Sequence, residues 1–238
     1  MIAIISDIHG NLEAFQAVLE DIEKEGIKEI YCAGDVVGYG ADPNECVEIV
    51  RERNIPCVAG NHDYAVTGKM SLQYFNPVAK EAIEWTMRVI KPENLEFLRK
   101  LPLTMHIGKN LLVHAVPSNP ASFDYILTLG DAIREFMFFR EKICFHGHSH
   151  HPVIFIEREK RHGVIFEDEV EIMEDVRYLV NVGSVGQPRD GDPRACYCIL
   201  REDRIEIRRV PYPIEIAQRK ILDAGLHPYL AERLAAGK

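Results

Sequence analysis

The chain has 238 residues, 47% of them hydrophobic, and a chain of this size buries roughly 70% of its unfolded surface in one core. We therefore expect a single domain over residues 1–238. The formal net charge of −9 argues against a nucleic-acid polymer as partner, because phosphate backbones are held by clustered lysines and arginines. Six cysteines without a C-x-x-C pair indicate a reduced, intracellular protein. No stretch approaches the roughly 18 apolar residues of a membrane span, and the amino terminus lacks a signal-peptide pattern, so we expect a cytoplasmic protein without membrane contact.

A strand, a polar loop and a helix are predicted at the start of the chain. Met1 to Ser6 is an apolar run rich in isoleucine, which predicts a strand buried on both faces. Asp7 and His9 follow it and, being two positions apart, can point in one direction. Gly26 is placed to end the helix that comes next. The apolar residues that recur at helical spacing in it are Leu12, Phe15, Val18, Leu19 and Ile22.

The same arrangement follows a second time. Glu29 to Ala33 predicts a second strand, after which Gly34 and Asp35 enter a glycine-rich loop. A helix is predicted from about Pro43 to Arg53, with Asp42 as its N-terminal cap. A carboxylate therefore lies again at the carboxyl end of a strand.

A third short strand and a helical insertion come next. Ile55 to Ala59 predicts the strand, which ends at Asn61, His62 and Asp63. Three successive strands thus present polar loops at their carboxyl ends, which is where open α/β sheets place their ligands. From residue 64 to residue 101 the apolar spacing becomes helical, and we expect an inserted pair of helices there.

A hairpin and a long loop precede the next polar residues. Two short apolar runs on either side of Gly108 predict the hairpin, whose second strand ends at His114. Residues 115–129 are predicted to form a loop that lines the site, because loops of this length in a compact domain are usually functional. A helix is expected near residues 131–139.

Four of the ten histidines fall within the seven residues from Phe145 to His151. A short apolar strand precedes them, so His148 and His150 can face one centre together. Two neutral imidazoles that converge on one point usually bind a metal.

The remainder of the chain is predicted to form mostly antiparallel strands and two closing helices. The expected strands lie at residues 153–156, 164–166, 178–182, 195–200 and 205–210, and the expected helices at residues 214–224 and 230–235.

Taken together, the polar loops supply a set of nitrogen and oxygen ligands for metal ions. The set comprises Asp7, His9, Asp35, Asn61, His114, His148 and His150. Seven ligands are too many for one ion and suit two, provided that one carboxylate bridges ions roughly 3.5 to 4 Å apart. Asp35 is the natural bridge. Four imidazoles favour Mn, Fe, Ni or Zn over Mg, and among these we favour Mn.

The proposed centre is suited to phosphoryl chemistry. Two divalent ions would leave it positively charged, which attracts and polarises a phosphoryl group. His62 is placed to protonate a leaving oxygen, with Asp63 as the neighbouring acid that orients it. The alternative for His62 is a hydrogen-bonding role beside the site.

The loops resemble, in order, the five motifs of the calcineurin-like metallophosphoesterases. The motifs are Asp7-Ile8-His9, Gly34-Asp35, Gly60-Asn61-His62-Asp63, His114 and Gly147-His148-Ser149-His150. Residues 181–190 further resemble the late Gly-Ser loop of the compact prokaryotic phosphodiesterase branch. The resemblance implies an α/β fold in which a two-sheet β-sandwich is flanked by helices, an αββα arrangement. It also implies that Asp7, His9, Asp35 and His150 hold one metal, that Asp35, Asn61, His114 and His148 hold the other, and that His62 is the acid.

Three further residues are candidates for substrate binding. Arg189 could clamp a phosphate through two hydrogen bonds, and a surface role is as good an interpretation. Asn11 either steadies the site or caps the adjacent helix. Tyr39 either stacks on substrate or packs under its loop.

The sequence therefore predicts a hydrolase in which a metal-bridging hydroxide attacks phosphorus without a covalent enzyme intermediate. A small phosphodiester is the favoured substrate class. A dinucleoside polyphosphate is the nearest alternative, and a phosphoprotein is less favoured because no extended docking surface is visible. A binding scaffold on the same fold is the non-enzymatic alternative. A scaffold would be expected to have lost ligands, whereas all seven are present.

Overall fold

The computed structural model describes residues 1–238, and its secondary structure consists of eleven strands, eight α-helices and one short 3-10 helix, Leu72–Tyr74. The strands are β1 (Ile2–Ile5), β2 (Glu29–Cys32), β3 (Thr104–Ile107), β4 (Asn110–Val113), β5 (Ile143–His146), β6 (Val153–Arg158), β7 (Arg161–Ile165), β8 (Glu169–Glu171), β9 (Val176–Asn181), β10 (Ala195–Leu200) and β11 (Arg204–Val210). The helices are α1 (Leu12–Lys24), α2 (Pro43–Glu52), α3 (Asn61–Val66), α4 (Pro77–Val89), α5 (Pro92–Lys100), α6 (Leu129–Glu135), α7 (Ile214–Asp223) and α8 (Pro228–Ala236). None of these helices combines the length and the apolar character that crossing a bilayer requires.

The strands form two mixed sheets. The first has the order β2-β1-β10-β11-β8, with β1 parallel to β2 and antiparallel to β10. The second has the order β3-β4-β5-β9-β6-β7, with β4, β5 and β9 parallel to one another. The carboxyl ends of β1 and β2 in one sheet and of β4 and β5 in the other lie at the same edge of the molecule.

Three clusters of buried side chains define the layers. Ile4, Phe145 and Tyr178 belong to a cluster drawn from the facing sides of both sheets, which makes the sandwich core. The largest cluster joins the outer face of the first sheet to helices α1–α5, α7 and α8. A smaller cluster around Phe136 joins the outer face of the second sheet to α6 and the turn that follows it. The αββα arrangement implied by the motifs is therefore confirmed.

Most of the predicted elements are present, including helices α4 and α5 within the predicted insertion at residues 64–101. The third predicted strand is wrong, because residues 55–59 make one parallel bridge, between Cys57 and Cys32, and no continuous ladder. Asn61 opens α3 rather than lying in a loop. Asp42 occupies the cap position of α2 without capping it, because its carboxylate accepts hydrogen bonds from Lys220 instead. Strand β8 was not predicted, because three residues are too short a run for alternation to indicate a strand.

Candidate active site

The predicted ligand loops converge between the two sheets. The backbone N–H of Asp7 donates to the Gly34 carbonyl (2.9 Å), which ties the loop after β1 to the loop after β2. On the opposite side, the N–H of Gly147 donates to the His114 carbonyl (3.0 Å) and joins the loops after β4 and β5. The His148 N–H donates to the Asp7 carboxylate (3.0 Å) and connects the two sheets. The site is therefore assembled from both halves of the sandwich.

One group of ligand atoms is formed by Asp7, His9 and His150, all of them buried. Nε2 of His150 lies 3.2 Å from the Asp7 carboxylate, and Nε2 of His9 lies 3.7 Å from the same oxygen. The two imidazole Nε2 atoms are 3.1 Å apart. The Asp7 oxygen at the centre of this group, Oδ1, has no hydrogen-bond partner.

The tautomers of these rings show that the group fits a cation. His9 and His150 direct Nδ1 at the carbonyl oxygens of Val37 (3.1 Å) and Gln187 (2.5 Å), which requires Nδ1 to carry the proton. In the neutral rings both Nε2 atoms then present lone pairs to each other, and neither can donate. A cation between them would turn this repulsion into coordination, with each ring fixed by its bond to the backbone.

A second group is formed by Asp35, His114 and His148. Nε2 of His114 lies 3.3 Å from the Asp35 carboxylate and 3.2 Å from Nδ1 of His148, while its own Nδ1 donates to the Ala33 carbonyl. The side-chain oxygen of the nearby Asn61 is buried without a partner. The same Asp35 oxygen that faces His114 lies 3.7 Å from Nε2 of His9. Asp35 is thus the carboxylate that stands between the two groups.

Burial and neighbouring charges set the protonation of His114, His148 and His150. His114 loses hydration on burial, yet the charge of Asp35 and its hydrogen bond raise the pKa of His114 to about 10. Burial, reinforced by the charge of His114, lowers the pKa of His148 to about 3. Burial and the charge of Arg189 lower the pKa of His150 to about 3. Two of the imidazoles are therefore neutral at pH 7, while metal binding to His114 must displace a proton.

The backbone at the ligand positions is strained. Asp7, His9, Asp35, His148 and His150 all have left-handed φ values, between 50° and 66°. Such conformations cost non-glycine residues about 1 to 3 kcal/mol each and persist only where the surroundings impose them. Five of the seven predicted ligands thus share a conformation that the local sequence disfavours, which is typical of a functional site.

His62 borders this centre. Its ring lies 4.8 Å from the His9 ring and 4.5 Å from the Tyr39 ring. Nδ1 is buried against Gly38, where no larger residue would fit, and has no partner, so Nε2 is the nitrogen that faces the site. Burial lowers the pKa of His62 well below its ordinary value.

Asp63 does not orient His62, and this expectation is wrong. Its carboxylate accepts four backbone N–H bonds, of 2.8 to 3.3 Å, from Asp35, Val36, Val37 and Gly60. Asp63 therefore fixes the loop that carries Asp35. The correct description is a positioning residue and not a catalytic one.

An open cavity of about 270 Å³ lies over the centre. The helical insertion contributes Tyr74 and Phe75 to its wall, and the loop at residues 115–129 contributes Tyr125, which stacks on His148 at 4.0 Å. The loop thus lies at the site that it was predicted to line, and the helical insertion forms another part of the same rim. Tyr125 was not singled out from the sequence, because a tyrosine in a loop carries no periodic signal.

The three candidate substrate-binding residues lie in different environments. Arg189 and Tyr39 line the cavity. Asn11 does not, and its assignment to substrate binding is wrong: its carbonyl accepts the N–H of Ala14 and caps α1, and its amide donates to the Gly186 carbonyl. Asn11 thus serves the fold.

Residues of the late Gly-Ser loop brace the site from behind. The Ser184 hydroxyl donates to the Asp7 carbonyl and accepts the N–H of Gln187, whose own carbonyl holds His150. The Asn181 amide donates to the Gly147 carbonyl and the Ser149 hydroxyl. The sequence motif located this loop, but it could not show that Asn181 and Ser184 act through buried hydrogen bonds.

The chain matches a known protein family and is similar over its whole length to other proteins. The model of the calcineurin-like phosphoesterase superfamily domain matches residues 1–204. An uncharacterised protein of Methanocaldococcus jannaschii is 49% identical over 244 residues, which cover 100% of this chain and 98% of that protein. The crystal structure of a metallophosphoesterase from Sphaerobacter thermophilus is 41% identical, with a TM-score of 0.85 over 100% of this chain and 98% of that one. A hypothetical protein from Pyrococcus horikoshii is 21% identical and shares the fold, with a TM-score of 0.78 over 100% and 99% of the two chains.

Proposed function

Because the chain belongs to the calcineurin-like phosphoesterase superfamily, a family of phosphoric ester hydrolases, we propose that it hydrolyses a small phosphodiester with the help of two divalent metal ions. The observation that carries the proposal is the position of Asp35 between two buried groups of ligand atoms. Each group holds imidazole nitrogens at contact distance, an arrangement that a bound cation stabilises.

The proposed ligand sets follow the two groups. Asp7, His9, Asp35 and His150 would hold one ion, and Asp35, Asn61, His114 and His148 the other. When bound, such ions act as Lewis acids on a phosphoryl group and bring the pKa of water towards neutrality. The imidazole-rich set favours Mn, Fe, Ni or Zn, and we favour Mn.

We assign the proton donor to His62. Its Nε2 is the ring nitrogen left free to face the cavity, and its backbone N–H is held by the Asp35 carboxylate (2.8 Å). The burial that lowers the pKa of His62 makes the protonated ring a strong acid, and an incoming anionic substrate favours that protonated form. Arg189, at the cavity wall, would orient a phosphate oxygen.

The cavity favours a small substrate. Its volume of about 270 Å³ is at the lower end for small-molecule sites, and its wall is formed partly by the aromatic rings of Tyr74, Phe75 and Tyr125. A dinucleoside polyphosphate is the second candidate, because the exposed rings of Tyr74 and Tyr125 offer stacking surfaces beyond the centre.

The test combines metal analysis with a hydrolysis panel. The purified protein is loaded with Mn and its metal content is measured per chain, together with rates on bis(p-nitrophenyl) phosphate, p-nitrophenyl phosphate and a dinucleoside tetraphosphate. We expect two metals per chain and faster hydrolysis of diesters than of the monoester. Asp35→Asn should lose both metals, because a neutral amide cannot offset two cations.

The control is His151→Asn, since this exposed ring follows the ligands in sequence and bonds the Ser149 carbonyl instead of the centre. It should retain metals and rates. Full metal content and turnover in Asp35→Asn would contradict the shared-ligand assignment, and a wild-type protein that hydrolyses none of the esters would contradict the proposed function.

A further inference from the structure

Strand β7 forms an open edge of the second sheet. It pairs with β6 alone, in an antiparallel hairpin that is closed by the pair Arg158 and Arg161. The two turn residues, Glu159 and Lys160, both have left-handed φ values (49° and 62°), as a two-residue hairpin turn of type I′ requires. In such a hairpin the closing residues bond to each other, and the direction of the backbone groups then alternates along each strand. Val164, three positions beyond Arg161, therefore directs its N–H and carbonyl away from β6.

This edge lacks the features that usually keep a further strand away. Natural edge strands are commonly protected by a proline, a bulge or a charged side chain. Residues 162–166 contain no proline, no lysine, no arginine and no carboxylate. The register between β6 and β7 runs from Arg161 to Ile165 without a bulge, and the backbone of residues 162–166 bonds to no loop backbone. By contrast, the edge strand β8 of the first sheet has only three residues, two of them glutamates.

Charged residues of opposite sign lie on the two sides of this uncharged stretch. Two basic residues precede it and two acidic residues follow it, namely Lys160, Arg161, Glu167 and Asp168. All four side chains are exposed, and none forms an ion pair within the chain. Nearby residues do, since Arg158 pairs with Asp175 and Glu169 with Arg204. The four unpaired charges are therefore available to a partner.

A second copy of β7 supplies the opposite charge at each of these positions. When two β7 strands run antiparallel with Val164 of each copy at a two-fold axis, Arg161 lies opposite Glu167 of the second copy. The same register sets Lys160 opposite Asp168. It also lets the two Val164 residues exchange N–H···O hydrogen bonds, because their backbone groups point to the open edge.

The neighbouring registers lack this charge match. An axis through Gly163 sets Glu159 against Glu167, and like charges directly opposite each other destabilise a strand pair. An axis through Ile165 leaves Lys160 without an opposing carboxylate. The charge pattern thus selects a single register.

An exposed apolar surface lies beside the edge, on the outer face of the second sheet. Val164 lies opposite Phe155 of β6, which belongs to the buried cluster on that face. Phe166 is two positions further, so it shares the face of Val164, and it is 81% exposed. Together with Leu127 these residues line a groove of about 430 Å³. In the two-fold arrangement the Val164 side chains of both copies meet on this face, with a Phe166 ring on either side of them.

We propose that β7 is a homodimer interface, at which two copies of the chain join their second sheets through an isologous antiparallel pairing of β7. The partner is a second copy because residues 160–168 are complementary to themselves, since their charges change sign when the stretch is read backwards. A strand pair with a small apolar surface is a small interface, so we expect a dissociation constant of about 1 to 100 µM. The inference does not depend on the proposed function.

Sedimentation velocity over a concentration series tests the association. Wild-type protein should pass from monomer to dimer and no further, because a two-fold contact closes at two copies. Val164→Lys places two ammonium groups opposite each other at the axis and should raise Kd at least about 10-fold. Arg219→Glu is the control for a change of surface charge, because Arg219 is exposed on α7, and it should leave Kd unchanged.

A charge-swap series tests the register. Arg161→Glu and Glu167→Arg each turn two attractive contacts, one on either side of the axis, into repulsive ones. Each variant should raise Kd about 10- to 100-fold at low salt. The combined variant again sets opposite charges against each other and should return Kd to within about 3-fold of the wild-type value. Urea unfolding midpoints equal to that of wild type would show that the weakened variants are folded.

Wild-type protein that stays monomeric throughout the series overturns the proposal, as does growth beyond the dimer. A dimer that keeps its Kd in Val164→Lys uses another surface, which also overturns it. Folded single variants that lose association without recovery in the combined variant refute the antiparallel register. None of these measurements requires metal or an ester, so a failure of the proposed function leaves their outcome unchanged.

Discussion

Asp63→Asn tests whether the loop that carries Asp35 is held by a buried carboxylate. One Asp63 oxygen accepts the N–H groups of Asp35 and Gly60, and the other accepts those of Val36 and Val37. An asparagine amide replaces one oxygen by an NH2 group, so two of the four N–H donors would face another donor. The residue is fully buried, and water cannot replace the lost acceptor.

The size of the effect follows from these contacts. Hydrogen bonds to a charged group contribute about 1.5 to 3 kcal/mol each, so losing two destabilises the fold by about 3 to 6 kcal/mol. The relief of a charge repulsion offsets part of this destabilisation. Burial, and then the negative charge of Asp35, raise the pKa of Asp63 to about 7, and a neutral amide relieves that repulsion. We therefore expect the lower half of the range, about 3 to 4 kcal/mol, out of a typical total of about 5 to 15.

Urea unfolding of the metal-free variant measures this loss, and metal content per chain shows whether the Asp35 loop still binds. Asp131→Asn is the matched control, because Asp131 also accepts backbone N–H groups, at the N-terminus of α6 and far from the centre. It should lose about 1 kcal/mol and keep its metals. An Asp63→Asn protein with an unchanged unfolding midpoint and full metal content would refute the reasoning.

Three further predictions follow from the site. His114 has a pKa of about 10 in the folded, metal-free protein, above its unfolded value, so the stability that its contact with Asp35 contributes is present below about pH 6.5 and is lost as the pH rises towards 10. Urea midpoints across this window should fall in wild-type protein and stay flat in His114→Asn; a flat wild-type profile would contradict the ion pair. His62→Asn should keep both metals and lose about 100-fold on alkyl esters but much less on nitrophenyl esters, and parallel plots of rate against leaving-group pKa would exclude the acid role. Tyr125→Ala should change the ranking of substrates at constant metal content, whereas a uniform decline would make Tyr125 a stability element.

The positions of the predicted ligands followed from local pattern. Asp7 and Asp35 follow the neighbouring parallel strands β1 and β2, whose carboxyl ends must meet at one edge. That rule needs no knowledge of the tertiary structure. It does not place His148, which follows β5 in the other sheet and reaches Asp7 because the two sheets pack face to face.

The roles of Asp63 and Asn11 could not be predicted in the same way. Whether a polar side chain faces a substrate or a backbone amide depends on the loops packed against it, and those loops come from distant parts of the chain. Asp63 bonds the loop after β2, and Asn11 bonds Gly186. The left-handed backbone conformation of His148 and His150 could not be predicted from the sequence either, because local preference disfavours it and tertiary contacts impose it.

The place of β10 in the first sheet has a consequence for folding. β1 pairs on one side with β2, but its other neighbour is β10, where Ile2 lies opposite Leu200. At roughly 5 to 20 residues per second, the ribosome reaches β10 on the order of 10 to 40 s after β1. During that interval one edge of an isoleucine-rich strand is unpaired, which slows folding and exposes the nascent chain to association through that edge. The braces at Ser184 and Gln187 are made equally late, so the proposed metal centre can be complete only in the finished chain.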